Sequence, residues 1–328
     1  MREPNTAREK TMKAAVQTGP GKMEIRDAPI PSPGPREVRV RLEGCGVCAS
    51  NLGPWSGPDW MHFPSEPGSL GHEGWGKVDA VGEEVEDIRV GNRVAILSGH
   101  AYAEYDVAPE AQVIKLPSTL DPQPFPGEPL GCAMNIFKRS RIEPGDLVAI
   151  VGTGFIGLLL VQLCSAAGAE VIAISRRDFA LQLARDAGAA HLVPMEDHHE
   201  IIRRVEALTG GRFCDVVIEA VGLQWPLDLS AELVRERGTL VIAGYHQDGP
   251  RQVNMQLWNW RGIDVVNAHE RDPAIYMQGM RDAVEATLGR RVDAFPYLTH
   301  RFPLEELGTA LDMTRDRPEG FVKAVITF

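Results

Sequence analysis

The sequence predicts an α/β fold in which a doubly wound parallel sheet is joined to a second, all-β domain. Three observations predict it. Residues 143–157, EPGDLVAIVGTGFIG, run from a continuous apolar strand through a glycine loop into a long helical stretch. From there to about residue 245, extended and helical segments alternate, which implies parallel strands joined by right-handed crossovers. Before it, residues 12 to about 117 read as short strands broken by Gly and Pro.

In the β region, EVRVRLEGCGV (37–47) alternates apolar and polar residues with the period of a half-buried strand. GKVDAVG (76–82), GNRVAIL (91–97) and AEYDVAP (103–109) repeat the pattern. In the α/β region, a strand is expected over 169–175 and helices over about 178–187 and 199–209. The strand DVVIEAV (215–221), the helix PLDLSAELVRER (226–237) and the strand GTLVIAGY (238–245) follow. The tail is mixed: a strand near 263–268, helices near 273–288 and 304–314, and the strand FVKAVITF (321–328). No internal repeat or long linker interrupts this order.

The chain has 328 residues, enough for about two domains. Its net charge of −11 argues against a nucleic-acid partner, because phosphate binding needs clustered Lys and Arg. No apolar run approaches the ~20 residues needed to span a bilayer, so no membrane partner is expected. The opening MREPNTAREKTM is charged and lacks an apolar core, unlike a secretory signal, and residues 1–11 are expected to be a disordered lead-in. The five cysteines, Cys45, Cys48, Cys132, Cys164 and Cys214, are odd in number and scattered. That pattern does not suggest a disulfide framework, and a reducing, cytoplasmic setting is expected. Cys164 lies in the apolar run GLLLVQLCSAAGA and is expected in the core.

Gly152, Gly154 and Gly157 form a G-x-G-x-x-G pattern that follows a strand and opens a helix. The first glycine permits the tight turn, the second lets a pyrophosphate approach the backbone, and the third lets helix and strand pack closely. With Phe155 and Ile156 at the helix start, free N–H groups and the positive end of the helix dipole face the phosphates. A Rossmann dinucleotide site is therefore expected. In an NAD site the next strand usually ends in Asp or Glu, which accepts from the ribose hydroxyls. This one ends in Ser175, Arg176 and Arg177. No carboxylate is present to repel a 2′-phosphate and two guanidiniums are available to bind it, so NADP(H) is expected ahead of NAD(H). Asp178 is expected to cap the following helix.

EGCGVCASN (43–51) spaces Cys45 and Cys48 three apart, which fits a redox pair, a metal knuckle, or one ligand of a site completed elsewhere. GSLGHEGWGKV supplies His72 and Glu73, and PGEPLGCAMN supplies Glu128. At this point the chain resembles a family. GCGVCAS, GHEGWG, GNRVA, EPLG, EPGDLVAIVGTGFIG and DVVIEAVG match the zinc-dependent medium-chain dehydrogenase/reductases, the alcohol, polyol and threonine dehydrogenases. The match runs in family order over nearly all of residues 12–328, and GHE with EPLG is most similar to the sorbitol and threonine dehydrogenase subgroups.

The resemblance implies a GroES-like β-barrel catalytic domain of residues 12–130 and 270–328 and a Rossmann domain of 131–269, with zinc and nicotinamide in the cleft between them. It implies that Cys48 and His72 ligate zinc, with Glu73 beside them and Glu128 entering the shell or holding its water. Cys, His and a carboxylate with one exchangeable position make a catalytic zinc shell. Cys45 is then expected to face the core. Ser50 would take the substrate proton, in a reversible oxidation of a polyol, a sugar-like alcohol or a small secondary alcohol. A homodimer or homotetramer paired through the strand near 263–268 is expected from the same resemblance. Two other readings stay open: a zinc-free enone or quinone reductase of the same superfamily, and a nucleotide-binding sensor without turnover.

Some features depart from the family pattern. The four-cysteine lobe that holds a second, structural zinc is missing between GNRVAILSGHA and YAEYDVAPE, so one metal per chain is expected. Asn51 stands where a carboxylate usually orients the zinc histidine; its amide is expected to accept from the imidazole without supplying charge. Gly53 removes the usual relay histidine, so the proton is expected to leave by another route, the ribose hydroxyl and water, with His62 and His100 as further candidates that otherwise serve as ordinary loop residues. Trp55 and Trp60 either stack on substrate or pack their loop. Trp258, Trp260, His269 and Glu270 carry no assigned role.

Overall fold

The computed structural model describes residues 10–328. The strands are β1 (Thr11–Gly19), β2 (Lys22–Pro29), β3 (Glu37–Gly46), β4 (Gly74–Val81), β5 (Arg93–Ile96), β6 (Tyr105–Pro109), β7 (Val113–Lys115), β8 (Leu147–Val151), β9 (Glu170–Ser175), β10 (His191–Pro194), β11 (Cys214–Glu219), β12 (Val234–Ile242), β13 (Asp264–Asn267), β14 (His300–Pro303) and β15 (Ala324–Thr327). The helices are α1 (Leu52–Ser56), α2 (Gly127–Ser140), α3 (Phe155–Ala166), α4 (Asp178–Asp186), α5 (His198–Leu208), α6 (Gln224–Leu233), α7 (Met255–Arg261), α8 (Pro273–Leu288) and α9 (Leu307–Asp316). The chain forms two compact units, one of residues up to 128 with 300–316 and 324–328, the other of 129–299 with 317–323.

In the first unit, a mainly antiparallel sheet runs β14-β15-β3-β4-β5-β7, with β6 also paired to β3, and β1 and β2 form a separate hairpin. β3 carries the most pairing, with β4, β6 and β15. Its first residues alternate in burial as their sequence predicts, and its last three, Gly44, Cys45 and Gly46, are all buried. Cys45 has no exposed surface and faces the core. The lead-in is shorter than expected, since β1 begins at Thr11, paired with Pro29; residues 1–9 lie outside the described residues.

The second unit is a six-stranded parallel sheet in the order β10-β9-β8-β11-β12-β13. β8 (LVAIV) is buried at every position, as a central strand with both faces covered must be. The chain winds one way from β8 to β10 and the other way from β11 to β13. The topological switch point therefore lies between β8 and β11, and in such sheets ligands bind outside the carboxyl ends at that point.

The structure departs from the sequence reading in the division of the tail and in two elements of the parallel sheet region. The α8 helix and the rest of 270–299 belong to the second unit, as do 317–323, rather than to the β domain. The reason is packing: Cys132 Sγ lies 2.8 Å from the Tyr276 hydroxyl and Asn135 Nδ2 donates to the Ile275 carbonyl, so α8 lies along α2. VRER does not continue α6 but opens β12, because fully buried Val234 pairs with Cys214; the irregularity between Val234 and Thr239 coincides with Arg237 at φ 55°. β10, four residues long, carries too little periodicity to be seen.

Gly157 shows how tightly the glycine loop closes. A Cβ there would fall 1.9 Å from the Gly152 carbonyl oxygen. Both partners are backbone, so no rotamer relieves the clash. Gly157→Ala should therefore destabilise the second unit by about 1–3 kcal/mol, the usual cost of overpacking, measured by denaturant titration. An unchanged midpoint would show that the loop can open at no cost.

Candidate metal and dinucleotide sites

The register of β3 on β4 assembles the first site. Cys45 pairs with Gly74, and the Gly46 N–H donates to the Glu73 carbonyl. That pairing sets Cys48, just past the end of β3, beside His72 and Glu73, just before β4. One ligand atom from each of Cys48, His72 and Glu73 lies within 4.8 Å of the others. Glu73 is fully buried, Glu128 is buried, and Cys48 and His72 are half-buried. Burial by itself would lower the His72 pKa. The hydrogen bond and charge of Cys48, then the charges of Glu128 and Glu73, outweigh it and push the pKa up to about 10. Glu128 therefore acts on the site electrostatically but lies outside the tight three-atom group. Gathered negative groups around one imidazole are the electrostatics of a cation pocket.

His72 Nδ1 lies 2.9 Å from the Leu70 carbonyl oxygen. A carbonyl only accepts, so Nδ1 carries the proton and Nε2 is the nitrogen left for a metal. Here the expectation for Asn51 is corrected. Its Nδ2 donates to the same Leu70 carbonyl at 3.1 Å, and its Oδ1 accepts from the Tyr102 hydroxyl at 2.8 Å. The amide thus does not accept from the imidazole; histidine and asparagine converge on one carbonyl. The amide's own N–H makes this possible, since a carboxylate could not donate there. Leu70 presents that carbonyl from the left-handed region, at φ 73°, unusual for a side chain branched like leucine's. Tyr102 is almost fully buried. Burial, followed by the charges of Cys45, Glu73 and Cys48, holds its pKa well above the ordinary value, so it remains an O–H donor. Sequence reasoning missed Tyr102, which lies 51 positions from its partner in a stretch with no distinctive pattern.

Ser50 is half-buried on the short turn Ala49–Asn51 that Cys48 opens. Trp55 is a packing residue: it is buried, and its indole N–H donates to Asp312 at 3.0 Å. Trp60 is exposed. His62 and His100 are also exposed, and His100 bonds the Pro67 carbonyl.

The second site lies at the carboxyl ends of β8 and β9. Gly152 turns the chain at φ 104°. A Cβ on Gly154, which precedes the first residue of α3, would meet nothing within 4 Å, so the backbone there is open to a ligand. Beside it, the buried Thr153 hydroxyl has no hydrogen-bond partner among the described residues. A phosphate oxygen fits the open backbone at Gly154 and the free N–H groups at the start of α3. Ser175 is buried at the end of β9, Arg176 is exposed, and half-buried Arg177 donates to the Phe321 carbonyl. Burial, then the positive charges of Arg317 and Arg176, lowers the Arg177 pKa; partial desolvation and Arg176 do the same for Arg317. Arg317, distant in sequence, is thus a third guanidinium at this strand end. Asp178 does not cap α4 with its side chain. It is the first helical residue, and the N-cap is Arg177, without a side-chain bond.

Residues 34–118 match the alcohol dehydrogenase GroES-like domain, and residues 156–285 match the zinc-binding dehydrogenase domain. The chain belongs to the zinc-binding medium-chain dehydrogenase family. A sorbitol dehydrogenase of Halalkalibacterium halodurans is 27% identical, over 90% of this chain and 94% of its own length. A quinone oxidoreductase of Pseudomonas aeruginosa is 31% identical, over 92% of this chain and 94% of its own. A Sinorhizobium meliloti protein solved bound to NADP superposes with a TM-score of 0.84 at 27% identity, covering 97% of this chain and 100% of its own.

Tyr102 gives a direct test of this geometry. Tyr102→Phe leaves the Asn51 carbonyl oxygen unpaired in the interior, which should cost about 1–3 kcal/mol of stability. It should also lower zinc affinity roughly tenfold or more, as loss of an outer hydrogen bond does at zinc histidines. Competition with a chromophoric chelator measures the affinity, and an unchanged value would separate Tyr102 from the site.

Proposed function

We propose that this chain is an alcohol dehydrogenase with one catalytic zinc that uses NADP(H) in preference to NAD(H) and acts on a polyol, a sugar-like alcohol or a small secondary alcohol. The observation that carries the reading is the convergence of Cys48, His72 and Glu73 ligand atoms within 4.8 Å. A thiolate, an imidazole nitrogen and a carboxylate oxygen suit zinc, and three protein ligands leave a position for substrate. When bound, the metal would supply a Lewis acid and the dinucleotide a hydride carrier.

The protein's own groups have defined tasks in this reading. Cys48, His72 and Glu73 hold the metal, and Glu128 adds negative charge beside it. Leu70, Asn51 and Tyr102 fix the His72 ring so that Nε2 faces inward. Ser50 Oγ takes the hydroxyl proton of the substrate. The glycine loop and the start of α3 receive the pyrophosphate, and Arg176, Arg177 and Arg317 meet a 2′-phosphate with charge-assisted hydrogen bonds. Polyol chemistry is supported by the sorbitol dehydrogenase relatives, and NADP by the ligand of the Sinorhizobium protein.

The quinone oxidoreductase relative favours a second reading, a zinc-free reductase. The gathered ligand set argues against it, and metal content separates the two. Purified protein should carry one zinc per chain by elemental analysis. Cys48→Ala should lose the metal and about a thousandfold or more of activity while keeping its fold, because electrostatic stabilisation of the reacting oxygen is among the largest catalytic effects. Full activity in exhaustively chelated, zinc-free protein would establish the second reading.

Cofactor preference is tested separately. One charge-assisted hydrogen bond is worth roughly 1.5–3 kcal/mol, so NADPH should bind about ten- to a hundredfold tighter than NADH by calorimetry at low salt. Ser175→Asp with Arg176→Ala should reverse that order. Equal binding of the two by the wild-type protein would leave the arginines without a ligand role.

A further inference from the structure

A second polar network lies across the switch point from the arginines. Glu219, the last residue of β11, is fully buried. Its Oε1 accepts from the N–H groups of Val221 and Gly222, both at 2.7 Å. Its Oε2 lies 3.0 Å from His246 Nε2. His246 Nδ1 accepts from Arg251 Nε at 2.8 Å, and the same guanidinium donates to the Gly222 carbonyl at 2.9 Å and pairs with Asp248. These bonds close a ring. A guanidinium only donates, so Nδ1 must be bare and Nε2 must carry the proton towards Glu219; one neutral tautomer satisfies both neighbours.

The backbone is matched as closely. The N–H groups of Ala243 and Gly244 donate to the Glu219 carbonyl at 2.8 Å. A Cβ on Gly244 would fall 2.3 Å from the Gly222 nitrogen and 2.5 Å from Glu219 Oε2. On its other side, segment 220–222 meets the glycine loop: the Ala220 N–H donates to the Val151 carbonyl, and a Cβ on Gly152 would lie 2.5 Å from Val221 Cγ2. The ring thus ties together three loops, those at the carboxyl ends of β8, β11 and β12.

A doubly wound sheet of this kind has two mononucleotide-binding halves. The glycine loop and the arginines belong to the half built on β8 and β9. We propose that the Glu219–His246–Arg251 ring is the positioning device of the other half, holding loop 243–252 in the shape that receives the nicotinamide nucleotide. The proposal rests on the dinucleotide reading given above. The three side chains are positioning residues that act through the loop they hold.

The test uses the zinc-loaded full chain and two probes, NADPH and 2′-phospho-ADP-ribose, which lacks nicotinamide. His246→Ala and Arg251→Ala should weaken NADPH about tenfold or more, the loss expected from a broken charge-assisted hydrogen bond, and change 2′-phospho-ADP-ribose by less than about threefold. Zinc content should stay at the wild-type value. His246→Gln, whose amide can accept from Arg251 and donate to Glu219, should return NADPH affinity to within about threefold of wild type. The proposal is overturned if His246→Ala binds NADPH as wild type does, if both probes weaken alike, or if glutamine fails to rescue. Wild-type protein that binds neither probe nor NADH would overturn the dinucleotide reading itself and the proposal with it.

Discussion

The pairing of Cys45 with Gly74 is the constraint on which the candidate metal site depends. It is an ordinary antiparallel contact between β3 and β4, yet it fixes which residues follow one strand and precede the next. A one-residue slip would turn every side chain of β3 to the other face of the sheet. The buried alternation of Val38, Val40 and Leu42 opposes a slip of the whole strand, and the ladder shifts locally between Arg39 and Val40 and again between Leu42 and Gly44 before Cys45 meets Gly74. The cost of the arrangement is electrostatic. Acidic groups gathered in an interior are expensive to ionise unless a cation accompanies them. At His72 the hydrogen bond and charge of Cys48 and the charges of Glu128 and Glu73 outweigh burial and push the pKa up to about 10.

Around this centre the protein replaces one hydrogen-bonding logic with another. A carboxylate beside a metal histidine adds charge and accepts its N–H. In this chain the acceptor is a backbone carbonyl, held by Leu70 in the left-handed region and shared with Asn51. Tyr102 then fixes the amide's orientation from the core. In the parallel sheet the corresponding precision comes from backbone approach. The turns at Gly152 and Gly244 lie so close to neighbouring main chain that no side chain fits, and Glu219 draws the loops together from beneath.

The fold was largely legible in the sequence because its signals are local. Period-2 alternation marked β3, a continuous apolar run marked β8, and the glycine spacing marked the start of α3. Cys48, His72 and Glu73, whose ligand atoms the fold gathers within 4.8 Å, stood out as candidates because each sits in a short motif. The missed features depend on long-range geometry. Tyr102, Arg317 and the His246–Arg251 pair acquire their roles from groups that only folding brings near. The division of the tail was misjudged because residues 270–299 carry helix signals that do not say which unit the helix will pack against. Asn51 was misread because an amide has two faces, and the sequence does not show which one meets the ring.

The reading proposed above makes Cys48, His72 and Glu73, all from one unit, the ligands of a single zinc ion. X-ray absorption at the zinc edge of the purified holoprotein tests that shell. One sulfur at about 2.3 Å with nitrogen and oxygen neighbours near 2.0–2.2 Å is the predicted shell, with the sulfur signal gone in Cys48→Ser. A shell of four sulfurs, or one with no sulfur, would contradict it.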